Sequence, residues 1–99
     1  MNSVVYKYRV ALAGPTFLEI PAGATILTPV QVQDRPPFQT VVLWAIVDPE
    51  QPLMPVELYT ARTGEDVSGV TAMQERPEHY GTFQLDSGYV GHVFRVSTV

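Results

Sequence analysis

The chain has 99 residues, no cysteine and a net charge of −4, from six Lys and Arg against ten Asp and Glu. That length holds one domain, residues 1–99, with one core that buries roughly two-thirds of the surface exposed by the unfolded chain. The absence of cysteine excludes a disulfide framework, a thiolate nucleophile and thiolate ligation of zinc.

The six bases are scattered at Lys7, Arg9, Arg35, Arg62, Arg76 and Arg95, so no cationic stripe offers itself to duplex nucleic acid. Two of them brought together by folding, such as Lys7 or Arg9 with Arg95, could still hold one phosphate. A hydrophobic share of 45% beside a charged share of 16% leaves an apolar exterior that self-association would cover. No long apolar stretch follows the basic residues near the start, so neither a signal peptide nor a membrane span is expected, and the expected location is the cytoplasm.

The first element runs from about Val4 to Leu12, with Tyr6, Tyr8, Val10 and Leu12 on one face and Lys7 and Arg9 on the other, the period of two of a half-exposed strand. Gly14-Pro15 turns the chain into a short strand, Thr16 to Ile20, and the two are expected to form a hairpin. Pro21-Ala22-Gly23 suits a type II turn. Thr25 to Gln33 alternates again, with Ile26, Thr28, Val30 and Val32 opposed to Leu27, Pro29, Gln31 and Gln33; Pro29 lacks an N–H and argues against a central strand there.

After the loop Asp34 to Phe38 comes an unbroken apolar run, Val41 to Val47. Its shortness and its Asp48-Pro49 boundary make it a strand covered on both faces, with Trp44 as a central packing anchor beside Val42 and Ile46. Pro55 to Arg62 alternates Val56, Leu58 and Thr60 against Glu57 and Tyr59. Periodicity disappears from Thr63 to His79, where at most a short helical turn between 64 and 79, near Thr71 to Arg76, is expected before Pro77. Tyr80 to Leu85 and Tyr89 to Val96 form a hairpin across Asp86-Ser87-Gly88. The pattern as a whole predicts an all-β, mainly β domain: an antiparallel sandwich or flattened barrel of six or seven strands.

Catalytic chemistry finds little support. His79 and His92 are the two histidines, and their spacing with Glu75 and Glu78 matches no ligand motif, so no metal site and no cofactor are expected. His92 shares a face with Val90, Phe94 and Val96, which suits a satisfied core or rim residue, and His79 suits solvent. No nucleophile elbow and no glycine-rich phosphate cradle is present. Glu65-Asp66 reads as a solvated acidic pair. The aromatic residues Tyr6, Tyr8, Phe17, Trp44, Tyr59, Tyr80, Phe83, Tyr89 and Phe94 fall on or beside strands; most are expected in the core, with a minority on an exposed sheet face able to stack on a planar ring beside an arginine.

A family resemblance spans nearly the whole chain. Tyr6-Lys7-Tyr8, Ile20 to Leu27, Val30-Gln31-Val32-Gln33, Leu43 to Asp48, Thr63-Gly64, Gly81-Thr82-Phe83-Gln84 and His92-Val93-Phe94 resemble the consecutive signatures of a small β-rich domain family of unknown function, carried by tailed bacteriophages, prophages and their hosts. The resemblance implies a phage-associated accessory protein and brings no catalytic residues with it.

The leading expectation is therefore a non-enzymatic, homo-oligomeric binding protein. Its partner would be a small ligand, such as a nucleotide signal, or a host protein such as a defence component. Arg62, Arg76 and Tyr80 are the ligand contacts expected if the 64–79 loop closes over a pocket. A virion structural or assembly protein is the alternative, in which an edge strand pairs with a neighbouring subunit. A small enzyme using His92 or His79 is the third reading.

Overall fold

The computed structural model describes residues 2–70 and 77–96. Seven strands run in chain order: β1 (Val4–Val10), β2 (Gly14–Pro21), β3 (Thr25–Gln33), β4 (Thr40–Val47), β5 (Leu53–Arg62), β6 (Glu78–Gln84) and β7 (Val90–Val96). They form a three-stranded sheet in the order β1-β4-β3 and a four-stranded sheet in the order β2-β5-β7-β6, with every pairing antiparallel. The two stack as a flattened sandwich that closes into no barrel, and no helix occurs among the described residues. The helical turn expected near 71–76 lies outside them.

The core lies between the sheets. Val41, Leu43, Ala45 and Val47 of β4 are at most 2% exposed and face Val56, Leu58, Tyr80, Phe83 and Val93 of the second sheet. Alternation in β5 puts Val56, Leu58 and Thr60 inward as expected. The apolar run meets the second sheet with one face only. Its other face carries Val42, half-buried Trp44 and Ile46, which is 37% exposed. Trp44 is therefore an outer-face residue, with the Lys7 ammonium 5.8 Å from its ring centroid, and the central anchor of β4 is Leu43. An apolar run alone does not reveal which of its faces meets the second layer. Of the strand aromatics, Tyr80 and Phe83 are buried, so most aromatic residues lie outside the core.

The expected β1–β2 hairpin does not form. β1 pairs with β4, from Val4↔Val47 to Val10↔Val41, while β2 pairs with β5. The connection instead crosses from one sheet to the other, and its backbone groups need partners there. Ala11 N–H donates to Thr16 Oγ1 at 2.8 Å, the Thr60 hydroxyl donates to Ala11 C=O at 2.8 Å, and the Tyr89 hydroxyl donates to Leu12 C=O at 2.6 Å. The β2–β3 connection turns at Gly23 (φ 79°), while Ala22 N–H reaches Pro52 C=O. The β6–β7 hairpin forms as expected, with Leu85 N–H bonded to Tyr89 C=O across the loop.

Along one side the sheets come together where β3 packs on β6. β6 bulges between His79 and Gly81, and β3 loses register between Leu27 and Gln31. The β6 bulge sends Tyr80 inward, and a Cβ on Gly81 (φ 138°) would lie 2.9 Å from Pro29 Cβ. Only glycine permits that approach without displacement.

Thr60 is fully buried and spends its hydroxyl on the crossover. Thr60→Val keeps the shape and leaves Ala11 C=O short of a donor, an expected loss of about 1–3 kcal/mol. Urea denaturation checks this; a variant as stable as the parent would show that the crossover needs no such tie.

Candidate functional site

At one end the core stays open. A cleft of about 480 Å³ runs between the sheets, lined by Ile20 of β2, the Pro21–Ala24 turn, Ile26 of β3, Met54 to Val56 of β5, Tyr80 of β6 and Arg95 of β7. Its size is that of small-molecule sites, and its lining is mostly apolar, as theirs is. The chain places it by simple alternation. Gly91, Val93 and Arg95 are two apart on β7, and Arg95 stands in one rung with Leu58, which is fully buried, and Glu78. Side chains in one rung share a face, so Arg95 is directed to the inner side just where the core ends.

Arg95 and Tyr80 are the polar groups of this cleft. No carboxylate among the described residues lies within 4.0 Å of the Arg95 guanidinium; the ion pair among those residues is Arg62–Glu65, at 3.9 Å, outside the cleft. Burial pushes the Tyr80 phenol above its ordinary value, opposed by hydrogen bonding from Arg95 and by its positive charge, with Glu78 adding slightly to the rise. At neutral pH the phenol keeps its proton and has it available to donate. A guanidinium and a phenol against apolar walls suit an anion with an apolar or planar body.

The expected contacts are distributed unevenly. Tyr80 lines the cleft. Arg62 pairs with Glu65 and stands opposite Gly91, three positions along β7 from the Phe94 that faces His79, so it is about 10 Å away along the strand. Arg76 lies outside the described residues. Lys7 and Arg9 belong to the outer face of the three-stranded sheet, opposite Trp44 and Val42, and do not meet Arg95.

A second polar cluster occupies the outer face of the four-stranded sheet. Half-buried His92 has Thr63 Oγ1 2.7 Å from Nε2 and Thr82 Oγ1 2.9 Å from Nδ1, and the same Thr82 oxygen lies 3.1 Å from His79 Nε2. A hydroxyl has one proton to give, so Thr82 can donate to one ring while accepting from the other. Exposed His79 also stacks at a tilt on Phe94, ring centroids 5.3 Å apart. Both histidines are thus satisfied by threonines and an aromatic ring. Among the described residues no three His, Cys, Asp or Glu side chains are grouped to hold a metal ion, and no helix is long and apolar enough to cross a membrane.

Beside this cluster the Tyr59 hydroxyl donates to Glu65 Oε2 at 2.7 Å, and the Arg62 N–H donates to Glu65 Oε1 at 3.1 Å. The Tyr59 bond is the main reason that the Glu65 carboxyl titrates below its ordinary range, and the same bond raises the Tyr59 phenol. A depressed carboxylate stabilises the fold above its unfolded pKa and loses that contribution as pH falls through the folded value. In Tyr59→Phe the Glu65 midpoint, read from its carboxyl carbon by NMR, should rise toward the ordinary carboxylate value. An unmoved midpoint would assign the depression to Arg62 instead.

The family model described as "Domain of unknown function (DUF7352)" matches residues 1–99. No curated protein and no solved structure matches the chain.

Proposed function

Because the chain belongs to the family described as Domain of unknown function (DUF7352), whose description names no activity, we propose from the geometry that the protein is a non-enzymatic binder of a small anion with an apolar or planar body. A cyclic nucleotide is one ligand of that class. The observation that carries this reading is the guanidinium of Arg95, paired with no carboxylate among the described residues, beside the Tyr80 phenol in an open apolar cleft. Ile20, Ile26 and Val56 would contact the ligand body, while Arg95 and Tyr80 would hold its charge. The threonine partners of His79 and His92 support a positioning role for those rings rather than acid–base work. The resemblance of its signatures to those of small phage and prophage proteins supports the context we propose: an accessory protein in the cytoplasm of an infected bacterium that sequesters a signal of the host.

Isothermal titration against cyclic nucleotides and aryl or alkyl carboxylates tests the proposal. Heat of binding is expected for members of the panel, and Arg95→Gln should weaken it about ten- to hundredfold, the value of a hydrogen bond to a charged group. Glu78→Gln should tighten binding, because Glu78 shares the Arg95 rung and repels an anion. A flat response throughout the panel, or binding indifferent to Arg95→Gln, would overturn the proposal.

A further inference from the structure

We infer that β1 is a docking edge for a second copy of the chain, pairing antiparallel with the same strand of its partner about a twofold axis at Tyr6. This inference rests on the sheet edges and stands independently of the cleft.

A two-sheet sandwich has four edge strands, here β1, β3, β2 and β6. An edge presents a row of unpaired N–H and C=O groups, and folded proteins defend such rows with proline, bulges, charges or covering elements. Three of these edges are defended. β2 carries Pro15 and Pro21. β3 carries Pro29 and an irregular register, β6 is bulged at His79/Gly81, and the two cover one another.

β1 has neither proline nor bulge, no element among the described residues covers it, and its only charges are Lys7 and Arg9. Val4–Val10 contains no proline and no acid, and its register with β4 is unbroken. Its exposed apolar surface lies on both faces: Val4 is 38%, Val5 56% and Tyr6 42% exposed. Val4 and Tyr6 share the inward face of buried Val10, so they overhang where the opposite sheet stops. Lysine is a common edge guard, yet Lys7 is drawn the other way. Its ammonium lies over Trp44 and donates to Gln33 Oε1 of β3 at 3.2 Å, across the sheet from the free edge.

The charges of β1 select the register. A twofold axis perpendicular to the sheet keeps inward residues opposite inward residues, so it can pass only through a residue position. Centred on Lys7, it sets two lysines opposite each other; centred on Tyr8, it sets Lys7 against Arg9. Like charges directly opposed are destabilising. Centred on Tyr6, it pairs Tyr6 with Tyr6, Val4 with Tyr8 and Val5 with Lys7, and puts Arg9 opposite Ser3. Among registers that separate the cations, this one pairs the most residues of β1. The product is a closed dimer with a continuous six-stranded sheet, β3-β4-β1 and its twofold copy, in which each copy covers the other's overhanging Val4 and Tyr6.

The absence of native cysteine makes the register directly readable. At the axis, opposed Cα atoms of an antiparallel pair lie about 4.5–5.5 Å apart, within disulfide reach. The two positions 7 would be offset by two residues and about 8 Å apart, beyond it. Sedimentation equilibrium of the unmodified chain should give a dimer, and Tyr6→Lys, folded by circular dichroism, should weaken it at least tenfold. Under mild oxidation Tyr6→Cys should cross-link within the dimer and Lys7→Cys should not. A monomer at several hundred micromolar, a dimer unaffected by Tyr6→Lys, or equal cross-linking of the two cysteine variants would each overturn the inference.

Discussion

The fold depends on the contact between the inner face of β4 and the strands of the opposite sheet. Val41, Leu43, Ala45 and Val47 meet Val56, Leu58 and Val93 with almost no exposure on either side. Burying apolar side chains at roughly 1.5–3 kcal/mol each is the favourable term large enough to oppose chain entropy in a domain of this size. The crossover ties at Ala11 and Leu12, the glycine contact at Pro29 and the β6 bulge all serve to bring those two faces together.

The same economy explains what is left uncovered. Seven strands yield one layer between two sheets, and no second sheet covers either outer face among the described residues, which is why Trp44, Ile46, Phe17 and Phe94 retain exposure. The layer also stops short at one end. There the inward phase of β7 reaches Arg95, a side chain that cannot be buried without a partner, so the sheets remain parted and a cleft results. On the β1 side the inward phase continues through Tyr6 and Val4, and no strand among the described residues meets it there. The ligand cleft and the docking edge are thus two consequences of one small core.

Much of this architecture was legible in the residues. Alternation marked the inward faces of β1, β3 and β5 correctly, and Asp86-Ser87-Gly88 marked the last hairpin, because both signals are local. Pairing partners were not legible. β1 finds β4 from Val10↔Val41 to Val4↔Val47, far along the chain, through side-chain packing, which no turn motif encodes, and the Gly14-Pro15 signal belongs to a crossover rather than a hairpin. Trp44 was misplaced because a run apolar on both faces does not say which face is inside. For the site, the expected contact at Tyr80 lies in the cleft, though by way of a bulge that alternation cannot foresee. Arg95 is legible as an anion contact, but beside Tyr80 rather than Lys7 or Arg9: it stands in phase with Gly91 and Val93, and a charge at an inward position near a strand end is the signal of an open core. Arg62 lies near the irregular loop in sequence, whereas the β5–β7 register carries it toward the opposite end.

One core serves both sheets, and native-state hydrogen exchange reads this out. Leu43 and Ala45 of β4 and Leu58 and Val93 of the other sheet share no hydrogen-bonded ladder. If one apolar layer holds both, their amides exchange with the same free energy, equal to that of global unfolding. Exchange of the β4 amides through a lower-energy opening, while β5 and β7 stay protected, would show that the four-stranded sheet stands without its partner and would contradict the account.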